Sequence, residues 1–127
     1  MPDKQLRVLL IEDSKDILLL MKMELEGLGY AVLPAKDGET ALDIAQRERP
    51  DVIISDIKMP GLNGLELIKR LRNIPSLAST PCIALTGYAR QDLPENFASD
   101  YDAYLSKPVD PGELSELINR LTGRDAA

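Results

Sequence analysis

Histidine is absent from the 127 residues of this chain, and its absence narrows the available chemistry. Without an imidazole, the chain has no histidine general base, no histidine metal ligand and no phosphohistidine of its own. The sequence also lacks the glycine-rich patterns G-x-x-x-x-G-K-[ST] and G-x-G-x-x-G, with which many proteins hold nucleotide phosphates. Any phosphoryl group that this protein handles must therefore come from another molecule.

Cysteine and long apolar runs are also scarce. Cys82 is the single cysteine, so no disulfide can form within the chain, which suits a reducing cytosol. No apolar run approaches the roughly 20 residues that a membrane helix requires, and residues 1–7 are too polar for a signal peptide. We therefore expect a cytoplasmic protein without membrane contact.

Positive charge is in deficit as well. The 15 lysines and arginines oppose 21 acidic residues, for a net charge of −6. The basic residues are scattered singly or in pairs such as Lys69 and Arg70, whereas nucleic-acid binding usually needs a basic stripe. We expect no direct contact with nucleic acid.

What is present is a regular alternation of short apolar runs and longer amphipathic runs, in a length that suits one domain over residues 1–127. Strands are predicted at residues 7–11, 31–35, 52–55, 82–86 and 103–106. Helices are predicted at residues 15–28, 39–48, 64–72, 93–99 and 111–121. Such βα units predict a doubly wound, flavodoxin-like α/β fold, with helices on both faces of a five-stranded parallel sheet.

The order of the strands follows from two features. The run 8–11 is continuously apolar, as expected of a strand buried on both faces, whereas Pro34 removes a ladder donor from the second strand and favours an edge. Both features fit the order 2-1-3-4-5. In that order, a crevice opens at the carboxyl ends of the first and third strands.

Three carboxylates follow those strand ends. Glu12 and Asp13 come after the first strand, and Asp56 comes after the third. Like charges brought together raise at least one pKa, so the cluster needs a cation. Hard oxygen ligands without cysteine or histidine point to Mg²⁺.

Two further residues lie at the same edge. Thr86 ends the fourth strand, where its hydroxyl can donate to a phosphoryl oxygen, and Lys107 follows the fifth, where its ammonium can neutralise developing negative charge. Together with the acids, they form a site suited to phosphoryl transfer onto a carboxylate.

Five motifs in this order resemble the receiver domain of two-component response regulators, over roughly residues 6–122. The motifs are Glu12-Asp13, then Asp56, then Met59-Pro60-Gly61 with Gly64, then Thr86-Gly87, and last Tyr104-Leu105-Ser106-Lys107-Pro108.

The resemblance implies roles for the acids. Asp56 would be the phosphoacceptor, and its donor would be a sensor histidine kinase or a histidine phosphotransfer protein. Asp13, Asp56 and the backbone carbonyl of Lys58 would hold Mg²⁺, with Glu12 contributing directly or through water. The chain would then be a signalling module rather than an enzyme.

The resemblance also implies a switch. Thr86 would move to bind the phosphoryl group, Tyr104 would turn inward and Lys107 would pair with the phosphoryl group. The surface of the fourth helix, fifth strand and fifth helix would report the change to a downstream partner. Family members also tend to have a cis peptide before the proline that matches Pro108.

The lifetime of the aspartyl phosphate depends, by the same resemblance, on Lys58 and Tyr88. Both side chains are large and neither orients water well, so we expect slow spontaneous hydrolysis. Gly87 would leave the phosphate open to a donor or phosphatase.

Some features depart from the family pattern. Glu12 replaces the more common aspartate, Pro94 falls where the fourth helix runs, and no glycine precedes the turn at Asp102. Pro94 predicts a short fourth helix beginning near residues 92–93.

Other classes of protein remain as alternatives. A haloacid dehalogenase-type phosphohydrolase requires an acid–base aspartate at the position that Lys58 occupies. A flavin-binding protein is disfavoured because the carboxylates of this crevice would repel the phosphate of the flavin. A degenerate receiver, used only for binding, would have lost an acid, and none is lost. A phosphorelay intermediate or a receiver fragment of a hybrid histidine kinase stays open, although Met1 and the polar residues 124–127 favour a protein that works alone.

The first helix carries more apolar residues than one stripe needs. At 100° per residue, a core stripe is predicted for Ile17, Leu20, Met21, Leu25 and Leu28. Leu19 and Met23 fall on the opposite side, and we propose that this pair contacts the helices of the phosphodonor.

Overall fold

The sheet has five parallel strands in the order β2-β1-β3-β4-β5, which confirms the predicted fold class. The computed structural model describes residues 5–57, 64–87 and 101–123. The strands are β1 (Arg7–Ile11), β2 (Ala31–Ala35), β3 (Val52–Asp56), β4 (Cys82–Thr86) and β5 (Ala103–Ser106).

The position of each strand follows its composition. Every residue of β3 and β4 is buried, as their continuous apolar runs require between two layers of helices. β2 is an edge strand, as predicted from Pro34, which is exposed and lies opposite Leu10 of β1.

Four α-helices are present in the described residues, and three begin at side-chain caps. The helices are α1 (Lys15–Gly27), α2 (Gly38–Glu48), α3 (Gly64–Arg72) and α4 (Pro111–Leu121), with a short 3₁₀-helix at Pro75–Leu77. Ser14, Asp37 and Asp110 accept hydrogen bonds from the first turns of α1, α2 and α4. The helix predicted at residues 93–99, with Pro94, lies outside the described residues. No described helix has both the length and the apolar character to cross a membrane.

Two apolar clusters lie on opposite faces of the sheet, because successive side chains of a strand point to opposite sides. Leu9 and Ile53 belong to the cluster covered by α2 and α3. Leu10 and Ile54, one residue further on, belong to the cluster covered by α1 and α4. Helices therefore cover both faces, as predicted.

The stripe predicted for α1 was wrong for three of its five residues. Met21 and Leu25 are buried, but Ile17, Leu20 and Leu28 are 41%, 56% and 47% exposed. Since α1 is apolar around most of its circumference, angular projection alone does not locate its buried face. The sheet decides that face.

Leu19 and Met23 were predicted to lie outside the core, and this is confirmed. Leu19 is 56% exposed and Met23 is 61% exposed. With the corrected positions of Ile17 and Leu20, α1 presents a broad apolar surface rather than an isolated pair.

Candidate functional site

The carboxyl ends of the strands bring four of the predicted residues to one edge. Asp56 is the last residue of β3 and Thr86 the last of β4, while Glu12 and Lys107 directly follow β1 and β5. A hydrogen bond of 3.0 Å from the backbone N–H of Glu12 to the carbonyl of Ala35 fixes the end of β1. A second, of 2.8 Å from the N–H of Lys107 to the carbonyl of Thr86, fixes the end of β5.

The three predicted carboxylates meet at this edge. Ligand oxygens of Glu12, Asp13 and Asp56 all lie within 4.8 Å of one another. Asp13 is exposed, but Glu12 and Asp56 are only 1% and 4% exposed. Burial and crowding of like charges are both unfavourable, so this arrangement calls for positive charge.

The pKa of Glu12 records this crowding. Burial raises the pKa of its carboxyl, and the neighbouring Asp13 and Asp56 raise it further. A hydrogen bond of 2.9 Å from the N–H of Ser14, together with the charge of Lys107, opposes the rise without cancelling it. The ionised form of Glu12 is therefore disfavoured in the folded protein, and a bound cation would stabilise it.

Lys107 supplies part of that positive charge. Its Nζ lies 2.7 Å from Oδ2 of Asp56 and 3.5 Å from Oε1 of Glu12. Burial lowers the pKa of the ammonium, but the hydrogen bond and charge of Asp56, with the charge of Glu12, outweigh burial and leave the pKa raised. Lys107 is therefore charged at neutral pH. The Lys107–Pro108 peptide is cis, as expected.

The donor set fits a hard divalent cation. All three side chains offer carboxylate oxygens, one carboxylate is exposed, and among the described residues one ammonium, that of Lys107, faces the three of them. Mg²⁺ prefers oxygen ligands, often one or two carboxylates together with water and phosphate oxygens. The fourth predicted ligand, the carbonyl of Lys58, lies outside the described residues.

Thr86 and Tyr104 lie on the adjacent strands β4 and β5. Thr86 is 3% exposed, and it is opposite Ser106 in the register of β4 and β5. Tyr104 is half-buried on β5. Its ring centroid is 6.4 Å from that of Tyr101, with the rings inclined at 53°. Gly87 is exposed, and Tyr88 lies outside the described residues.

Sequence reasoning missed Tyr101 and Ser55. Tyr101 is 6% exposed and belongs to the apolar cluster under α2 and α3, while Ser55 is 1% exposed and its Oγ donates to the backbone carbonyl of Asp56 at 3.0 Å. One signal was available, since Ser55 is a polar residue inside a strand predicted to be buried on both faces. A buried hydroxyl normally has a hydrogen-bond partner.

Comparison with known proteins places this architecture in a family. The family model described as the response regulator receiver domain matches residues 8–119. The receiver domain of the sensor histidine kinase PA1611 from Pseudomonas aeruginosa, with a magnesium ion coordinated in its active-site cleft, is 32% identical with a TM-score of 0.87. The match covers 94% of this chain and 99% of that one.

Curated relatives include both short and long proteins. The polar-differentiation response regulator DivK of Brucella anthropi is 33% identical over 91% of this chain and 95% of its own length. The virulence sensor protein BvgS of Bordetella bronchiseptica is 36% identical over 98% of this chain, which spans 11% of that relative's length. The chain therefore belongs to the response regulator receiver domain family, a family of signalling modules.

Proposed function

We propose that this chain receives a phosphoryl group on Asp56 from a phosphohistidine of a sensor kinase or phosphotransfer protein. One observation carries the proposal. Asp56 is a buried carboxylate at a strand end, crowded by Glu12 and Asp13 and paired with Lys107 at 2.7 Å. In this environment, Lys107 can exchange its partner Asp56 for an incoming phosphoryl oxygen, whose negative charge its ammonium neutralises.

In the proposed transfer, a carboxylate oxygen of Asp56 forms a bond to phosphorus as the phosphorus–nitrogen bond of the donor breaks. The electron pair of that bond returns to the donor nitrogen, and because the other ring nitrogen of the phosphohistidine carries a proton, the donor leaves as a neutral imidazole. The carboxylate needs no general base, which agrees with a chain that lacks histidine. The ammonium of Lys107 then pairs with a phosphoryl oxygen, and the hydroxyl of Thr86 donates to another.

Glu12, Asp13, Asp56 and the carbonyl of Lys58 would hold Mg²⁺. When bound, the ion supplies positive charge that offsets the charge of the phosphoryl oxygens. The fit between these oxygen donors and a hard cation supports this assignment.

The defining experiment is labelling with acetyl phosphate and Mg²⁺. We expect intact-mass spectrometry to show one phosphoryl group that hydroxylamine removes, as it does from acyl phosphates. Asp56→Asn should abolish the label. Asp51→Asn, an isosteric change at the other end of the same strand, should keep it. Undiminished labelling of Asp56→Asn would contradict the proposal.

We further propose that the donor docks on the apolar surface of α1. A groove beside the site is lined by Ile17, Leu20, Met21, Glu24, Lys107, Pro108 and Val109. Since this groove runs up to Lys107, a partner helix seated on it would bring its phosphohistidine to Asp56. The exposed Leu19 and Met23 extend the same helix surface.

Transfer from a phosphorylated kinase tests this docking surface. Ile17→Glu with Leu20→Glu should slow transfer from the cognate kinase by at least about tenfold, which corresponds to about 1.4 kcal/mol of binding. Leu19→Glu with Met23→Glu should slow it less. Labelling by acetyl phosphate should stay unchanged in both, because the small donor does not use the groove. Normal kinase transfer in both double variants would remove the docking proposal.

Two signalling roles for the phosphorylated chain are consistent with the relatives. The similarity to DivK favours a response regulator that binds a downstream protein through β5 and α4, with Tyr104 as the switch. The similarity to the sensor proteins BvgS and PA1611 favours a receiver that relays the phosphoryl group within a hybrid kinase. Mixing the phosphorylated chain with a second histidine phosphotransfer protein distinguishes these two roles. Loss of the label from Asp56, with its transfer to that protein, supports the relay.

The lifetime hypothesis concerns Lys58 and Tyr88, two residues outside the described ranges. We propose that both slow the hydrolysis of the aspartyl phosphate. Lys58→Ala with Tyr88→Ala should release phosphate several times faster than the parent. An unchanged release rate would show that these side chains do not protect the phosphate.

A further inference from the structure

A carboxylate interrupts an apolar stripe of α1 beside the proposed docking groove. Ile17, Leu20, Glu24 and Leu28, the last of them the C-cap residue, follow one another at intervals of three and four residues, which places them on one face of the helix. The three apolar side chains are exposed, whereas Glu24 is half-buried. Glu24 also lines the groove together with Ile17 and Leu20. The carboxylate therefore lies within the surface that a docked helix would cover.

The other ion pair on α1 leaves Glu24 aside. Lys22 pairs with Glu26, with their charged atoms 3.1 Å apart. Both residues are two positions away from Glu24, which at about 100° per residue puts them on the opposite side of the helix. Lys22 is therefore not the counter-charge of Glu24.

Lys107 lines the same groove, but its ammonium is already engaged. Its Nζ lies 2.7 Å from Asp56 and 3.5 Å from Glu12. Over the described ranges of the chain, Glu24 takes part in no ion pair and in no side-chain hydrogen bond. Its charge is solvated by water as long as the groove is open.

A docked helix would remove that water. Covering the stripe with apolar side chains alone would bury an ionised carboxylate without a counter-charge, which is costly, whereas a cation opposite Glu24 would compensate it. An acid at that place would add repulsion. A single charged residue in an apolar stripe therefore discriminates among partner helices, much as one polar residue in the seam of a coiled coil selects the partner.

From this arrangement we infer that Glu24 is the specificity residue of the docking groove and pairs with a lysine or arginine on the docked helix of the phosphohistidine donor. The inference rests on the proposed function, and it names the chemistry of the partner surface. That surface has apolar side chains opposite Ile17 and Leu20 and a cationic side chain opposite Glu24.

Helix geometry gives the position of that cation on the partner. Ser14 caps α1 beside the acids of the site, and Glu24 follows about ten residues later, about 15 Å along the helix axis. A partner helix that runs along α1 covers the same length in about three turns. We therefore expect the cationic residue about three turns from the phosphohistidine, which lies at the end next to Asp56.

Charge reversal at Glu24 tests the pairing by phosphotransfer. The donor is the histidine kinase that labels the parent fastest among the kinases of the same organism. Glu24→Lys should slow transfer to Asp56 by at least about tenfold and Glu24→Gln by about threefold, because lysine repels the partner's cation and glutamine leaves it unpaired. Acetyl phosphate should label both variants as it labels the parent, because this small donor does not use the groove.

Glu26→Lys and Glu26→Gln are the matched controls. They change the net charge by the same amounts on the same helix, but on its opposite side, where only the exposed pair with Lys22 is lost. Transfer to both should stay within about twofold of the parent. Added salt is a further readout, since it should slow transfer to the parent more steeply than transfer to Glu24→Gln.

Reciprocal changes in the kinase identify the partner of Glu24. Each lysine and arginine within about four turns of the phosphorylated histidine on its helix is changed to glutamate in turn. One of these changes should slow transfer to the parent and restore transfer to Glu24→Lys to within about threefold of the original pair, as two residues in contact require.

The outcomes separate this inference from the proposed function. Transfer to Glu24→Lys at the parent's rate overturns the inference, as does equal slowing in Glu26→Lys or the failure of every reciprocal change to restore transfer. A parent dimer that Glu24→Lys dissociates also overturns it, because a second copy of the chain would then cover the groove. In all these cases, labelling of Asp56 by acetyl phosphate leaves the proposed function standing. A parent that takes no label at Asp56 overturns the proposed function, and the inference with it.

Discussion

The two ends of the sheet use the same kinds of charged residue in different ways. At the amino end, Asp51 accepts from the N–H of Arg7 at 2.8 Å, and the guanidinium of Arg7 pairs with Glu48. Arg72 pairs there with Asp102 at 2.9 Å. The side chains of Glu48 and Asp102 are 41% and 43% exposed, so water also solvates them.

The carboxyl end has more net negative charge, and two of its three acids are less exposed than Glu48 and Asp102. Glu12 and Asp56 are almost fully buried, Asp13 lies beside them, and in the described part of the chain Lys107 is the cation paired with them. Charges at the amino end are matched to neighbouring donors and hold loops in place. At the carboxyl end, the described residues place three carboxylates beside one ammonium, an arrangement that suits the proposed uptake of a cation and a phosphoryl group.

The largest effect on stability is expected from Arg72 at the amino end. Its guanidinium donates to the carbonyl of Thr80 at 2.7 Å and of Ala78 at 3.2 Å, besides Asp102. Arg72→Met removes these charge-assisted hydrogen bonds and should lower the unfolding free energy by about 2–3 kcal/mol in urea denaturation. Phosphorylation of Asp56 at a temperature where the variant is folded should persist.

Lys69→Met is the matched control for that prediction. Lys69 lies on the same helix and carries the same charge, but it is exposed. Its unfolding free energy should change by less than about 0.5 kcal/mol. Equal losses in the two variants would refute the view that the amino end depends on specific pairs.

Neutralising one acid at the carboxyl end should raise the unfolding free energy rather than lower it. Without divalent cations, Asp13→Asn relieves the repulsion of Glu12 and Asp56 and should raise the unfolding free energy by about 1 kcal/mol. Mg²⁺ should stabilise the parent because it binds the folded state, and should stabilise Asp13→Asn much less. Thermal unfolding with and without Mg²⁺ measures both effects.

An exposed acid on α2 provides the comparison. Asp43 pairs with Arg47 at 3.0 Å one helical turn away, and its side chain is 69% exposed. Asp43→Asn should lower the unfolding free energy by up to about 0.5 kcal/mol, with no change in the effect of Mg²⁺. A destabilised Asp13→Asn variant would mean that the three carboxylates do not repel one another as their spacing indicates.

A third prediction concerns Asp37, an acid at the same edge with a structural role. Its Oδ1 accepts from the N–H of Thr40 at 2.7 Å and caps α2. This hydrogen bond lowers the pKa of Asp37 below its ordinary value of 3.8. The stabilisation is therefore present above pH 3.8 and is lost as the pH falls through the lower, folded-state pKa.

Asp37→Ala should cost about 1 kcal/mol of unfolding free energy at neutral pH, and the difference from the parent should shrink in strong acid. Asp37→Asn keeps an acceptor without a titrating carboxyl, so its cap should hold at both pH values. Urea denaturation at the two pH values measures this, and a cost for Asp37→Ala that is independent of pH would contradict it.

Much of the candidate site was predictable because it depends on strand ends. Asp56, Thr86 and Lys107 lie at or just after apolar runs, and parallel strands bring such positions to one edge whatever the detailed packing. The edge position of β2 was predictable from Pro34 for a similarly local reason. The roles of these residues in phosphoryl transfer remain proposals that the labelling experiments test.

The face of α1 was less predictable, and the reason is physical. Periodicity locates a buried face only when the other faces are polar, and Ile17, Leu20 and Met23 make much of the exposed surface of α1 apolar. The contact with the sheet selected Met21 and Leu25 for burial. The remaining apolar residues stayed on the surface, where we propose that a partner covers them.

Local periodicity and the direction of the strands were enough to predict the succession of strands and helices and the edge at which the acids collect. The burial of Tyr101 in one cluster with Ile53 and Ala84 became apparent only in the folded sheet. These residues are far apart along the chain and belong to different βα units, so no local pattern relates them. Their contact depends on how β3, β4 and β5 pack side by side, which is a property of the folded sheet.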